Sequence, residues 1–294
     1  GLFTALFGGI VALRQSNLKK GLAYSTVSQL GYMFAGIGFG VPFAAIFHLG
    51  SQAFFKALLF LSAGVVIHAL GGEEELEGMG GLARALPVAM LAFLAGSMSL
   101  FGLPLTAGAF SKDALLDGAF SSSLAFYQLL GWLLVAGVFV SGLYIGRLFF
   151  ATFFGRRSEV PGQLHAASGT LTWPLLPLAL GALLFGFTQW PAGGLGHMLS
   201  PALGSVPAQP LATPTGLIAA VLGLLGFAVA GGWQQRRAGA VVPLPEHAGW
   251  VGLTAAASLR LARTTAAVQN GRAGRYALVM ILGFAAILIA GLKG

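Results

Sequence analysis

The chain has 294 residues, 56% of them hydrophobic and only 8% charged, where a soluble domain carries about 25% charged residues. It contains no cysteine, which excludes disulfide frameworks, thiolate metal sites and iron–sulfur ligation. The net charge of +8 is scattered between apolar runs rather than gathered on one solvated face, so it reads as a membrane-topology signal and not as a nucleic-acid surface.

Eight apolar stretches follow one another: Gly1–Leu13, Leu22–Phe39, Phe43–Leu70, Leu86–Phe120, Leu124–Phe154, Leu171–Gln189, Leu211–Trp233 and Tyr276–Leu292. They are continuous and long, as helices are, and not short and alternating, as strands of a membrane barrel are. The fold class expected is an all-α polytopic membrane protein of about eight transmembrane helices. The first stretch is shorter than the roughly 20 residues a span needs, has no basic region before it and no small-residue cleavage site after it. The expectation is therefore the C-terminal part of a longer protein with its first helix cut, not a signal peptide.

The second stretch opens with Tyr24, Ser25, Thr26, Ser28 and Gln29. Such residues serve either as glue between helices or as the lining of a wet half-channel. The third carries His48, Gln52 and Lys56 at i, i+4 and i+8, one slowly drifting polar stripe. Lys56 lies about 13 residues from either end, roughly 20 Å of helix, too far for its side chain to snorkel to water. A lysine at mid-membrane is costly unless it faces a wet or polar interior. Lysine can lose its proton when desolvated and histidine titrates near neutrality, so the stripe suits a proton path. His68, near the end of the same stretch, reads as interfacial.

The fourth stretch is too long for one straight span and contains Gly102, Pro104 and Gly108, so the helix is expected to break there. Broken membrane helices line cavities or ion sites. Beyond the break come Lys112, Asp113 and Asp117. Lys112 either belongs to such a site or snorkels outward from the helix end. Further on, Glu246–Gly271 places Trp250, Leu253, Ala257 and Leu261 at helical spacing, the pattern of an amphipathic helix lying on the membrane surface; the plainer alternative is a basic connector.

Charge segregates by loop. Arg14, Lys19 and Lys20, then Glu73 to Glu77 and Arg84, then Arg156 and Arg157, then Arg236 to Arg275 all fall on one side if the helices alternate. Gly40–Pro42, Ser121–Ser123 and Trp190–Pro210 carry no Lys, Arg, Asp or Glu. The positive-inside rule puts the charged side in the cytoplasm. The localisation expected is the cell inner (plasma) membrane, multi-pass.

The runs LKKGLAYSTVSQLGYMF, FHLGSQAFFKALLFLSAGVVIHALGG, MGGLARALP and GLPLTAGAFSKDALL, within residues 18–116, closely resemble the antiporter-like membrane subunits of respiratory complex I. The likeness is best to the NuoL type and extends to the Mrp cation/proton antiporters. Residues 266–283 resemble the turn from the lateral helix into the last helix of the NuoL type. The resemblance implies that residues 1–154 form the second of two inverted five-helix repeats, 155–233 two further helices, 234–275 a connector with the lateral helix, and 276–294 the last helix. It implies that Lys56 is the central lysine of the family's histidine-and-lysine helix and His48 its first histidine. Gln52 stands where a second histidine is usual. Lys112 matches the terminal lysine of the broken helix, and Asp113 its acidic neighbour.

The function implied is proton translocation by a membrane-arm subunit of a complex I-like NADH:quinone oxidoreductase. This chain would hold no redox centre; NADH, FMN, iron–sulfur clusters and quinone would bind partner subunits. The alternatives are a subunit of a sodium/proton antiporter or hydrogenase-type complex, and a non-transporting scaffold. The partners implied are other membrane-arm subunits and the lipid bilayer, with no nucleic acid.

Overall fold

The computed structural model describes residues 1–155, 169–189, 194–196, 199 and 213–236, all within a compact unit spanning Gly1–Pro243. The lateral helix, the last helix and most of the Trp190–Pro210 loop lie outside the described residues. Among those described, regular structure is helical, with one isolated bridge between Asn17 and Glu75. The helices are α1 (Leu2–Arg14), α2 (Leu18–Gly38), α3 (Pro42–Ala69), α4 (Pro87–Phe101), α5 (Ala107–Phe120), α6 (Ala125–Phe154), α7 (Gly169–Thr172), α8 (Leu175–Leu184) and α9 (Pro214–Arg236).

Pro42–Ala69, Ala125–Phe154, Gly169–Gln189 and Pro214–Gln234 are long and apolar enough to cross a membrane. The sixth apolar stretch is not one helix, however. It turns at Trp173 and Pro174, runs as α8, and tightens into a 3₁₀ turn over Phe185–Gln189. The fourth stretch breaks where expected. Gly102 ends α4 in the left-handed conformation, with φ of 84°, which costs glycine little because it has no Cβ. Leu105, three residues on, takes φ of 68°, a region a branched side chain rarely adopts. Thr106 then caps α5, accepting the backbone N–H of Ala109.

The charged loops meet at one end. Asn17 caps α2 by accepting from Lys20 N at 3.0 Å, and its amide donates to Glu74 and Glu75 at 3.2 and 2.9 Å. Lys19 pairs with Glu74 at 2.6 Å. That hydrogen bond first, and the one from Asn17 second, hold the Glu74 carboxyl below the usual carboxylate range. Arg147, from α6, donates to Gln15 O at 2.6 Å. At the other end, the uncharged segments meet around a cleft of about 430 Å³ lined by Phe39, Val41, Asp117, Ser121, Ser122 and Tyr127, among others. The described loops therefore segregate as the alternation of helices requires.

Small residues let the backbones close. A Cβ on Gly142 of α6 would sit 1.9 Å from Gly223 O of α9, and one on Gly226 would sit 2.2 Å from Phe139 O. Tight glycine seams of this kind replace the hydrophobic drive that lipid cannot supply. Around α3 the filling is aliphatic and aromatic: Phe55, Leu58, Leu59, Phe93, Phe149 and Phe153 are buried.

Candidate functional site

The interior of the bundle holds polar side chains from α2, α3, α4, α5 and α6. Lys56 is 7% exposed. Its ammonium donates to Ser25 Oγ and, at 3.4 Å, to Leu22 O, both on the first turns of α2. The same carbonyl accepts from Ser25 Oγ at 2.6 Å and Thr26 Oγ1 at 3.2 Å. Ser and Thr side chains bond back to their own helix in this way, and here the serine thereby presents its lone pairs to the lysine. Of the two roles open to the polar start of α2, Ser28 takes the gluing one, donating to Ala5 O of α1 at 2.7 Å. Ser25 and Gln29 turn to the α3 stripe.

His48 is wholly buried. Its Nδ1 lies 2.8 Å from Ser111 Oγ on α5 and its Nε2 lies 3.2 Å from Gln29 Oε1 on α2. Gln29 Nε2 donates in turn to the Tyr144 hydroxyl of α6 at 3.3 Å. Gln52, between His48 and Lys56 on the stripe, is 6% exposed and its Oε1 has no hydrogen-bond partner. A buried amide oxygen left bare costs on the order of 1–3 kcal/mol, and one water would satisfy it.

Lys112 turns inward instead of snorkelling. It is 2% exposed and donates to Leu100 O. That carbonyl belongs to the last turn of α4, where the break leaves carbonyls without intrahelical donors and the helix dipole is negative. The ammonium also sits 5.5 Å from the centre of the Tyr32 ring, within cation–π range. Asp113 turns away from its sequence neighbour, since adjacent helical residues diverge by about 100°. Its Oδ2 accepts the N–H of Thr213 at 3.4 Å at the start of α9. A Cβ on Gly216 would fall 2.0 Å from Asp113 Oδ1, so that helix start closes on the carboxylate. Asp117 accepts from Thr215 Oγ1 at 3.0 Å and opens onto the cleft. Gly108 crosses the end of α4 closely, its N–H donating to Ser99 Oγ at 3.1 Å. Among the described residues no group of three or more His, Asp or Glu side chains is arranged to hold a metal.

Residues 1–141 match the profile of the NADH:quinone oxidoreductase/Mrp antiporter transmembrane family. The chain belongs to that family. Its relatives include NADH-quinone oxidoreductase subunit L of Mycobacterium tuberculosis, 39% identical over 237 residues, which cover 78% of this chain and 37% of that protein. Subunit L of Pseudomonas aeruginosa is 42% identical over 207 residues, covering 70% and 31%. NADH-ubiquinone oxidoreductase chain 5 of Metridium senile is 44% identical over 191 residues, covering 64% and 31%. The chain thus spans about a third of the length of the curated relatives it matches.

Within this antiporter-family chain, sequence reading singled out Lys56, His48, Gln52, Lys112 and Asp113, and all five lie on α3 and α5 facing the interior polar cluster or its α9 border. It assigned no part to Ser111 or Tyr144. A serine beside Lys112 and a tyrosine in mid-helix were the available signals, but neither says which neighbour it meets.

Proposed function

We propose that this chain is proton-translocating membrane-arm machinery of a complex I-like NADH:quinone oxidoreductase, with Lys56 and Lys112 as its proton carriers. The observation that carries this reading is the pair of buried lysines with no carboxylate partner among the described residues. Lys56 leans on a serine and a backbone carbonyl, and Lys112 on the carbonyl end of a broken helix. Burying a charged amine costs several kcal/mol unless fully compensated, and neutral acceptors alone compensate only part. Such a group is poised to exchange its proton. Two like charges about 10 Å apart at an effective dielectric near 20 disfavour each other by on the order of 1.7 kcal/mol, more than one pKa unit.

In this reading residues 1–154 act as one antiporter-like repeat whose broken helix is α4–α5. Protons step between Lys56, a water on Gln52, His48 and Lys112. Redox energy arrives from partner subunits that hold NADH, FMN, iron–sulfur clusters and quinone. The name of the matched family includes the Mrp antiporters, so coupling to sodium is the second reading, and ²⁴Na⁺ flux distinguishes it.

The test is NADH-driven proton pumping in inverted membrane vesicles carrying the full-length protein in its complex, with Lys56→Ala against wild type. Loss of pumping with the complex assembled is expected. Undiminished pumping would overturn the role of Lys56 and bring the scaffold reading forward.

A further inference from the structure

Hydroxyl groups have one proton each, and counting those protons around Tyr144 fixes the direction of a hydrogen-bond chain. The Tyr144 hydroxyl stands among Ser25, Ser28 and Ser141. Ser25 gives its proton to Leu22 O at 2.6 Å, Ser28 to Ala5 O at 2.7 Å, and Ser141 to Gly137 O at 3.1 Å. Each is left with lone pairs only toward the tyrosine. None of the three then donates to the tyrosine, whose oxygen accepts from the amide N–H of Gln29, 3.3 Å away. That orientation leaves Gln29 Oε1, an acceptor, facing His48 Nε2 at 3.2 Å. A neutral histidine in this position carries its proton on Nε2 and its lone pair on Nδ1.

Resting on the function proposed above, we infer that Gln29, oriented by Tyr144, is a positioning residue that holds neutral His48 in the Nε2–H form, so that His48 loads and unloads its proton through Nδ1 and Ser111, on the Lys112 side. Ser111 has the flexibility this needs. Its Oγ lies 2.8 Å from His48 Nδ1, 3.0 Å from Ala107 O and 3.3 Å from Gly108 O. Against neutral His48 the serine donates to Nδ1. When His48 gains a proton there, Nδ1–H donates to the serine, whose own proton swings to a carbonyl of α5. The Nε2–H stays on Gln29 in both states. His48 thus exchanges its proton with α5 through Nδ1 and Ser111. The passage between Lys56 and His48 is left to the bare amide oxygen of Gln52.

The pH profile of pumping reads this directly. A hydrogen bond from an imidazolium is about twice as strong as one from the neutral ring. Removing its acceptor therefore weakens proton binding by His48. Among the described residues the titratable groups facing His48 are Lys56 on its own helix, Lys112 on α5, itself against Tyr32 of α2, and, through Gln29, Tyr144 on α6. Asp113 and Asp117 on α5 turn toward α9, and α4, α7 and α8, which also touch α3, carry no titratable side chain.

In inverted vesicles with the full-length protein in its complex, Gln29→Leu is expected to cut pumping several-fold. It should also move the acid limb of the profile to lower pH by roughly half to one unit. Gln29→Glu, which sets a carboxylate against the ring, moves it to higher pH. Tyr144→Phe keeps the shape of the ring but releases the Gln29 amide, and moves the limb the same way as Gln29→Leu. It is the decisive variant if a Gln29 substitution fails to assemble. Opposite shifts in the two Gln29 variants support the assignment, because a merely structural role lowers the amplitude without moving the profile. Profiles that stay in place while Lys56→Ala abolishes pumping overturn the positioning role and leave the proposed function standing. Undiminished pumping in Lys56→Ala removes both.

Discussion

The break between α4 and α5 rests on a backbone crossing with no room for one methyl group. A Cβ on Gly108 would lie 1.7 Å from Ser99 O and 2.7 Å from Ser99 C. Ordinary carbon contacts lie near 3.5–4 Å, so Gly108→Ala forces α5 away from the end of α4 by about 1.5–2 Å. The Gly108 N–H to Ser99 Oγ bond, 3.1 Å long, is lost in that movement. Overpacking costs about 1–3 kcal/mol and the hydrogen bond about 1 kcal/mol, so the loss is on the order of 2–4 kcal/mol. Lys112 follows Gly108 by one turn and reaches back to Leu100 O, so the same shift withdraws its ammonium from the carbonyl end of α4. The assay is thermal inactivation of the detergent-solubilised complex together with NADH-driven pumping. Gly64→Ala serves as control, because a Cβ there meets nothing within 4 Å. In mid-helix it should be neutral or stabilise by up to about 1 kcal/mol. If Gly108→Ala matches wild type in both measurements, the crossing is not what holds the break.

Gly216→Ala should destabilise the start of α9 by driving a methyl group into Asp113, and the double variant with Asp113→Ala should recover most of that loss; thermal stabilities of the three variants measure the coupling. Asn17→Asp keeps the cap on α2 but turns the donor facing Glu74 and Glu75 into a third carboxylate. Stability should fall at neutral pH, and less in acid where the carboxylates protonate. Glu74 is held below its ordinary range by Lys19 and Asn17, so the Lys19 contribution is present above the ordinary carboxylate pKa and lost as pH falls through the folded one. Melting curves of Lys19→Ala and wild type should differ slightly above about pH 4.3 and converge below it; a difference that grows in acid would contradict the pairing.

Some of this protein was legible in its residues alone. Hydropathy runs and loop charges are local properties, because each helix satisfies its own backbone and each loop carries its own side chains. The segregation of Arg14, Lys19 and Glu73–Glu77 from Gly40–Pro42 and Ser121–Ser123 followed from counting. The break at Gly102-Leu103-Pro104 followed from the chemistry of two residue types, and the burial of Lys56 from the length of lysine against the length of its helix. The same local reading took Leu171–Gln189 for one uninterrupted helix, where Pro174 and the 3₁₀ turn at Phe185–Gln189 divide it. Only the tertiary structure decided which way Lys112 turns, because the carbonyl it meets belongs to α4 and comes within reach only after the break folds α5 back. It alone joined Tyr144 to Gln29 across 115 residues and His48 to Ser111 across 63. Periodicity tells which face of a helix is polar; which polar face it meets is set by the crossings that glycine seams such as Gly142 against Gly223 permit.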